Sequence, residues 1–395
     1  MSSAKKDSSL GTQLLAIGLA RLTINITLRM VYSFLPAFSR GLGVPIQSNI
    51  RLLSLRSALG ISAPVFGMIL DRFGPRNTML GAMIILAAAA AAMALWPVYG
   101  IFVVFLLLSV SAYFLFDTSE LAYLSERVPY DRRGRIIGAM ELAWSGSMLL
   151  GMPLVGWLLA QTPTPAAGLS LTFGVLALVC FVSGATLWLV VLRQPESSGN
   201  KMNTRYYWKT IFTNRRVMVG LVPGMLIGSA SESLNVVFAA WLEDSFGLAL
   251  TGLGMAMVII GVAELLGVGG VMLLSDQLGK RRTIALGVGL SIVAYLTLPM
   301  LGTTLMGSLI GLFLVYLTFE LAIVATLPLI TELMPLARPG VLSANILCQS
   351  VGRMLGALLG GMLLPLGIGS SGIAAAFINV LALLVLLLWV REHDI

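Results

Sequence analysis

Apolar runs of about twenty residues, long enough to cross a hydrocarbon layer of about 30 Å, alternate along the chain with short segments that hold most of the charge or are marked by Pro and Gly. The pattern predicts twelve membrane-spanning helices, at approximately 12–36, 49–70, 77–96, 100–125, 135–160, 167–192, 217–241, 251–274, 283–300, 304–330, 341–364 and 371–390. Lys5 and Lys6 precede the first run as they would in a signal peptide. Arg21 interrupts the run, however, and no small-x-small cleavage site follows, so the run reads as a retained first helix.

Loop charge tests the count, because cytoplasmic loops are enriched in Lys and Arg. Of the 25 Lys and Arg, all but Arg21, Arg29, Arg51, Arg56, Arg353 and Arg40 fall in the two tails or in loops that follow even-numbered spans. A twelve-span, multi-pass protein of the cell (inner) membrane with both termini cytoplasmic is therefore expected. Composition agrees: 58% of residues are hydrophobic and 11% charged, against about 25% charged in soluble domains, and the mean hydropathy is +0.95. The net charge of +8 then reflects topology, and no nucleic-acid partner is expected. The 42 glycines suit helices that pack closely in a bilayer.

The chain also repeats itself. "SERVPYDRRGR" (125–135) aligns with "TELMPLARPGV" (331–341), matching Glu126 to Glu332 and Gly134 to Gly340, and "DRFGPRN" (71–77) aligns with "DQLGKRR" (276–282), matching Asp71, Gly74 and Arg76 to Asp276, Gly279 and Arg281. Two loops agree on nearly the same offset, which predicts two six-helix halves in parallel orientation, 1–192 and 217–395, joined by a cytoplasmic linker at 193–216. In that linker, "NTRYYWKTIFTNRR" (203–216) mixes Arg and Lys with Tyr and Trp, as an interfacial helix on anionic lipid does.

Twelve spans in two halves, with "GMILDRFGPRN" (67–77) between spans 2 and 3, resemble the major facilitator superfamily and its G-x-x-x-D-R-x-G-R-R loop. The resemblance implies an all-α membrane fold of two six-helix pseudo-repeats. It also implies alternating-access transport of a small molecule, no enzymatic activity, and a gating role for Gly67, Asp71, Arg72, Gly74, Arg76, Glu126, Asp276, Gly279 and Arg281, with Arg72 paired to Glu126. Pro75 stands where the motif has a basic residue, and the second copy has Gln277 for Arg and no leading Gly.

Charges inside the spans follow a pattern of their own. Spans 3, 6, 9 and 12 have none, whereas the others hold Arg21 and Arg29, Arg51 and Arg56, Asp117 and Glu120, Glu141, Glu232, Glu264, Glu320 and Arg353. Ionisable groups in a membrane face a protein interior or a watery cavity, and the resemblance implies that spans 1, 4, 7 and 10 line such a cavity with 2, 5, 8 and 11 beside them. Arg21, Asn25 and Arg29 share one helix face, which Tyr32 continues. Arg51 is near enough to the outer end of span 2 to snorkel. Arg21 lies roughly 12 Å inside the first span at 1.5 Å per residue, too deep to do so, and Asp117 and Glu120 lie at much the same depth in span 4. An ion pair of Arg21 with Asp117 or Glu120 is expected.

The only histidine, His393, is in the tail, so proton movement through the membrane must use carboxylates. Arg21, Asn25, Arg29, Tyr32, Asp117, Glu120, Glu232, Glu264, Glu320 and Arg353 are the expected substrate- and ion-coupling residues, with protons as the coupling ion and sodium the alternative. "GSMLLGMPLVGW" (146–157) partly resembles the G-x-x-x-G-P-x-x-G-G signature of superfamily exporters, with Met152 inserted before Pro153 and Trp157 at the last Gly. The expected activity is proton-coupled export of a small amphiphilic or hydrophobic compound by a monomer. The alternatives are import of an organic anion, flipping of an anionic lipid, and a transport-dead membrane receptor or assembly factor. No cofactor, metal site or disulfide is expected, since Cys180 and Cys348 lie in spans of opposite halves, and the lack of a P-loop argues against an ATP-driven pump.

Overall fold

The computed structural model describes residues 9–128, 130–191, 212–334 and 338–389, and among them every regular element is a helix. Eleven helices of the described residues are long and apolar enough to cross a membrane. Span 2 is the twelfth. It comprises Ile46–Ala58, a 3-10 turn at Leu59–Ser62, and the first part of Ala63–Leu95, whose remainder is span 3. Asn49, Arg51, Ser54 and Arg56 lower the hydropathy of its first piece, and Pro64 has no N–H to give to the carbonyl of Gly60. Span 1 runs over Leu10–Ser33 and restarts at Leu35–Leu42, because Pro36 cannot donate to the carbonyl of Tyr32. Span 7 is interrupted as well, between Arg215–Asn235 and Phe238–Phe246, with no proline at the break.

The remaining spans are Tyr99–Arg127 (4), Tyr130–Gly146 continued by Met152–Ala160 (5), Pro165–Val190 (6), Leu250–Leu278 (8), Lys280–Leu301 (9), Leu305–Glu332 (10), Arg338–Leu363 (11) and Ile368–Trp389 (12). Thr164 and Thr304 cap spans 6 and 10, each side chain accepting from the backbone N–H three residues on. Ser147–Gly151, inside span 5, is one π-helical turn. It sits directly before the inserted Met152, where one residue too many for an α-helix is taken up as a bulge.

The described residues group into two compact units, one within Met1–Val31, Arg40–Gly43 and Pro64–Asn200, the other within Tyr32–Ser39, Val44–Ala63 and Lys201–Ile395. Tyr32–Ser39 of span 1 and Val44–Ala63, which holds most of span 2, belong with the second unit. Ser54 Oγ donates to the carbonyl of Met354 at 2.9 Å, and Ile50 packs on Gly361.

Each unit shows the same construction at its motif loop. Gly74 (φ 75°, ψ 160°) and Gly279 (φ 83°, ψ 156°) both adopt a conformation open essentially to glycine alone. Thr78 and Thr283 each donate to the carbonyl of their own glycine at 2.9 Å. In the first unit, Arg76 donates to the carbonyls of Val191 and Trp188, both at 2.6 Å, at the end of span 6. In the second, Arg281 donates to those of Leu386 (3.4 Å) and Leu387 (2.7 Å), near the end of span 12. A cation is favoured there because the last carbonyls of a helix are unpaired and its C-terminus is the negative end of the dipole.

Close packing in the second unit rests on Gly352, Gly356 and Gly360, one stripe of span 11. A Cβ on these residues would lie 2.1, 2.2 and 2.2 Å from the carbonyl oxygens of Met225, Ser229 and Ser233 on span 7. Only backbones without side chains meet at that distance. Gly356→Ala should therefore destabilise by about 1–3 kcal/mol through overpacking, whereas Gly289→Ala, with nothing within 4 Å of the added methyl, should be neutral or stabilising by up to about 1 kcal/mol. Thermal unfolding midpoints of the purified variants test this pair, and equal shifts would contradict it. By the same measurement Arg76→Ala should cost about 1.5–3 kcal/mol, the range for hydrogen bonds to a charged group, and Arg76→Lys should recover only part, since an ammonium cannot bridge both carbonyls as the planar fork does.

Candidate functional site

Arg21 is an interior residue of span 1, and its guanidinium gathers three carboxylates. Nη1 donates to Glu120 Oε2 at 2.7 Å and lies 3.1 Å from Asp117 Oδ1, while Nη2 donates to Glu141 Oε1 at 2.8 Å. Asp117 and Glu120 are three residues apart on span 4 and thus share a face, so one nitrogen reaches both. Glu141 comes from span 5. The three arms differ in access: the Glu120 side chain keeps 2% of its surface, those of Asp117 and Glu141 keep 32% and 53%. Charge does not balance, with one fixed cation among three acids.

The same helices are joined by further polar contacts. Tyr123 Oη donates to Gln13 Oε1 at 2.6 Å, both side chains buried, about two turns from Arg21 along span 1. In the other direction, the Arg29 guanidinium stacks on the Trp144 ring, 4.4 Å from its centre, and Nη1 donates to the Trp144 carbonyl at 3.2 Å. Between the two arginines is Asn25, 1% exposed, and neither its Oδ1 nor its Nδ2 has a hydrogen-bond partner. A Cβ on Gly151, at the end of the π turn, would lie 2.3 Å from the Ile26 side chain, so spans 1 and 5 touch closely there.

The second unit has its own network. Tyr32 Oη donates to Glu232 Oε1 at 2.5 Å, and Asn235 Nδ2 donates to Glu232 Oε2 at 3.3 Å. Tyr316 Oη donates in turn to Asn235 Oδ1. Arg56, also buried, places its guanidinium 5.2 Å from the centre of the Tyr32 ring. Arg353 is half-buried and lies along Gly228. Glu264 and Glu320 are buried on spans 8 and 10, near where Glu320 packs against Gly267.

The expected residues thus fall into distinct places. Arg21, Asp117 and Glu120 meet, Tyr32 and Glu232 meet, and Glu264 and Glu320 are buried on spans 8 and 10. Glu141 was absent from the expected coupling set, although its depth, about six residues into span 5, matches that of Arg21. Trp144, Asn235 and Tyr316 were absent too; Asn235 stands three residues from Glu232 and Tyr316 four from Glu320, the helical spacings at which polar side chains become neighbours. Arg51 is exposed, as snorkelling requires. Asp71 and Arg72 are exposed at the motif loop, Arg72 stacking over Phe73 at 5.4 Å. The side chains of Glu126 and Asp276 lie outside the described residues, as does most of the linker 193–216. Glu332, the counterpart of Glu126, pairs with Lys280; at the position of Lys280 the first half has Pro75, which has no charge to offer.

Comparison with known proteins agrees with this architecture. The family model of the Major Facilitator Superfamily matches residues 17–335 and 221–395. The chain is 24% identical over 287 residues to the multi-drug resistance efflux pump PmrA homolog of Lactococcus lactis subsp. lactis, covering 68% of this chain and 67% of that protein. It is 24% identical over 294 residues to multidrug resistance protein MdtG of Yersinia enterocolitica, covering 70% and 68%. Among solved structures, the D-xylose-proton symporter superposes with a TM-score of 0.78 at 15% identity over 98% of this chain and 99% of that one. A bacterial homolog of the human lysosomal transporter Spinster superposes with a TM-score of 0.75 at 14% identity over 96% and 97%. These structural likenesses establish the fold, and the family match extends over nearly the whole sequence: the chain is a multi-pass membrane protein of the Major Facilitator Superfamily.

Proposed function

We propose that this protein exports a small amphiphilic or hydrophobic compound across the cell membrane in exchange for protons, its two six-helix halves, 1–192 and 217–395, alternating access. The observation that carries the reading is the surplus of acid around Arg21. In low dielectric, carboxylates crowded beyond the available positive charge hold a proton in common more readily than they all stay ionised. While every arm of Arg21 is engaged, its charge offsets as much of the acid as one guanidinium can. When the helices shift and an arm opens, the released carboxylate takes up a proton, which enters through the accessible Asp117 and Glu141 and is held by the closed Glu120. Compound and proton then compete for one charged site. That several relatives are named for multidrug resistance supports export. Import of an organic anion would draw on Arg56 and Arg353, but the charge of Arg56 already has Glu232 within the same network, across the Tyr32 ring.

The test is transport into proteoliposomes of ethidium, chloramphenicol and deoxycholate, one cation, one neutral compound and one anion, with and without an imposed pH gradient. Glu120→Gln should lose gradient-driven accumulation by tenfold or more and keep exchange of compound across the membrane. Asp117→Asn should lose a comparable share, because Asp117 is open to solvent and shares Arg21 Nη1 with Glu120, and Glu141→Gln, on the other nitrogen, should lose less. Arg21→Ala should reduce both folding and flux, because stripping the partner from the buried Glu120 costs about 3–5 kcal/mol. If all three carboxamide variants concentrate the compound at wild-type rates, the Arg21 cluster is structural and does not couple protons.

A further inference from the structure

Four of the buried polar atoms without a partner in the first unit lie on spans 1 and 4: Arg21 Nε, Glu120 Oε1, and Oδ1 and Nδ2 of Asn25. They belong to three residues, two of them on one face of span 1 and the third in contact with that face from span 4. Arg21 Nε and Glu120 Oε1 belong to the guanidinium and carboxylate whose other atoms are in contact at 2.7 Å. Asn25 follows Arg21 by one helical turn, which places their Cβ atoms about 6 Å apart on one face. Orphaned groups of this kind are rare in folded proteins, since a buried polar atom without a partner has lost its bonds to water and gained none in exchange. Here the set consists of two donors, Arg21 Nε–H and the Asn25 amide NH₂, and two acceptors, Glu120 Oε1 and Asn25 Oδ1. That is the complement of one water molecule, which accepts two hydrogen bonds and donates two, and buried water characteristically makes about three such bonds.

We propose that Arg21, Asn25 and Glu120 hold a single resident water and that this water delivers protons to Glu120. The proposal deepens the coupling role given above and rests on it for its functional half. Asn25 positions the water and takes no proton itself. The carboxyl of Asp117 is the donor, on the same Arg21 nitrogen as Glu120 and open to solvent at 32% of its side-chain surface. The Asn25 amide N–H releases one lone pair of the water; an O–H bond then breaks on protonated Asp117 as one forms to the water oxygen at that lone pair, and an O–H bond of the water breaks as one forms on Glu120 Oε1. The water emerges unchanged, Asp117 is left ionised and Glu120 is protonated. The charged and titratable groups on the packed helices beside this site are Glu141 on span 5, which meets Arg21 Nη2, Tyr113 on span 4, and Arg29 on span 1.

Two measurements test the proposal. A cryo-EM map of the full chain in lipid nanodiscs, at a resolution that shows ordered water, should contain one peak within hydrogen-bond distance of all four atoms. Asn25→Leu, similar in volume and devoid of polar atoms, should abolish it. No peak, or density larger than one water with the shape of a bound compound, overturns the site. In proteoliposomes carrying whichever of ethidium, chloramphenicol or deoxycholate the wild type moves fastest, Asn25→Leu should lower the ratio of gradient-driven transport to exchange at least tenfold. Asn25→Ser, which keeps a donor and an acceptor and leaves room for a second water, should restore most of that ratio. A peak in the map combined with an unchanged ratio overturns the relay, as does an equal loss of both transport modes in the two variants. Should Asn25→Leu fail to fold, the wild-type map and the Asn25→Ser ratio still decide. Failure of Glu120→Gln to uncouple transport would defeat the coupling reading while leaving the peak in place, so the two failures are distinguishable.

Discussion

An arginine in hydrocarbon has nowhere to put its charge. Even on the lenient insertion scale it costs about 2.5–3.5 kcal/mol at the centre of a helix, and it is too basic to shed its proton. Arg21 can therefore sit deep in span 1 only if other helices bring acid to it. Span 4 brings two carboxylates and span 5 one, and the guanidinium fork binds both helices to span 1 at one depth. The chemistry proposed for the protein and the packing of three helices of the first unit rest on that one requirement. It does not require the overfilling: one acid would balance the charge, and two are surplus to that need.

Much of this could be read before any coordinates. Hydropathy located the spans because bilayer thickness fixes their length, and loop charge checked their number. Depth along spans 1 and 4 was enough to bring Arg21 to Asp117 and Glu120. Glu141 lay at a legible depth, yet its span was placed beside the cavity and not on it, so the third arm was overlooked. The breaks in spans 1 and 7 and the 3-10 turn in span 2 escape because summed hydropathy is blind to φ and ψ; Pro36 and Pro64 are the visible hints of those in spans 1 and 2. Arg29 on Trp144 and the orphaned amide of Asn25 depend on where side chains point, which residue spacing along a single helix does not specify.

The internal repeat is deeper in backbone than in side chains. Gly74 and Gly279, Thr78 and Thr283, and Arg76 and Arg281 reproduce one local construction, since a turn that only glycine can make, followed by a cation for the exposed carbonyls of a neighbouring helix, leaves little freedom of residue choice. Side chains that bear charge within the spans do not repeat: residues 323 and 326, the counterparts of Asp117 and Glu120, are Ile and Thr. The Lys280–Glu332 clasp of the second half likewise has no counterpart through Pro75. The fold was kept in duplicate while the polar chemistry was divided between the halves.

The π turn at Ser147–Gly151 has a consequence for how this sequence is to be matched with others. One added residue rotates everything beyond it by about 100° relative to a continuous α-helix, because a turn holds 3.6 residues. Met152 to Ala160 would therefore present the wrong side of span 5 if aligned without a gap to a relative lacking the bulge, and Pro153 and Gly156 would be equated with residues of another face. An alignment that opens a one-residue gap at 147–151 keeps Glu141 and Trp144 in phase with their equivalents on one side and restores Pro153 on the other. Judged in that phase, the span keeps Pro153 and Gly156 of the exporter signature, and Trp157 still stands at its last Gly.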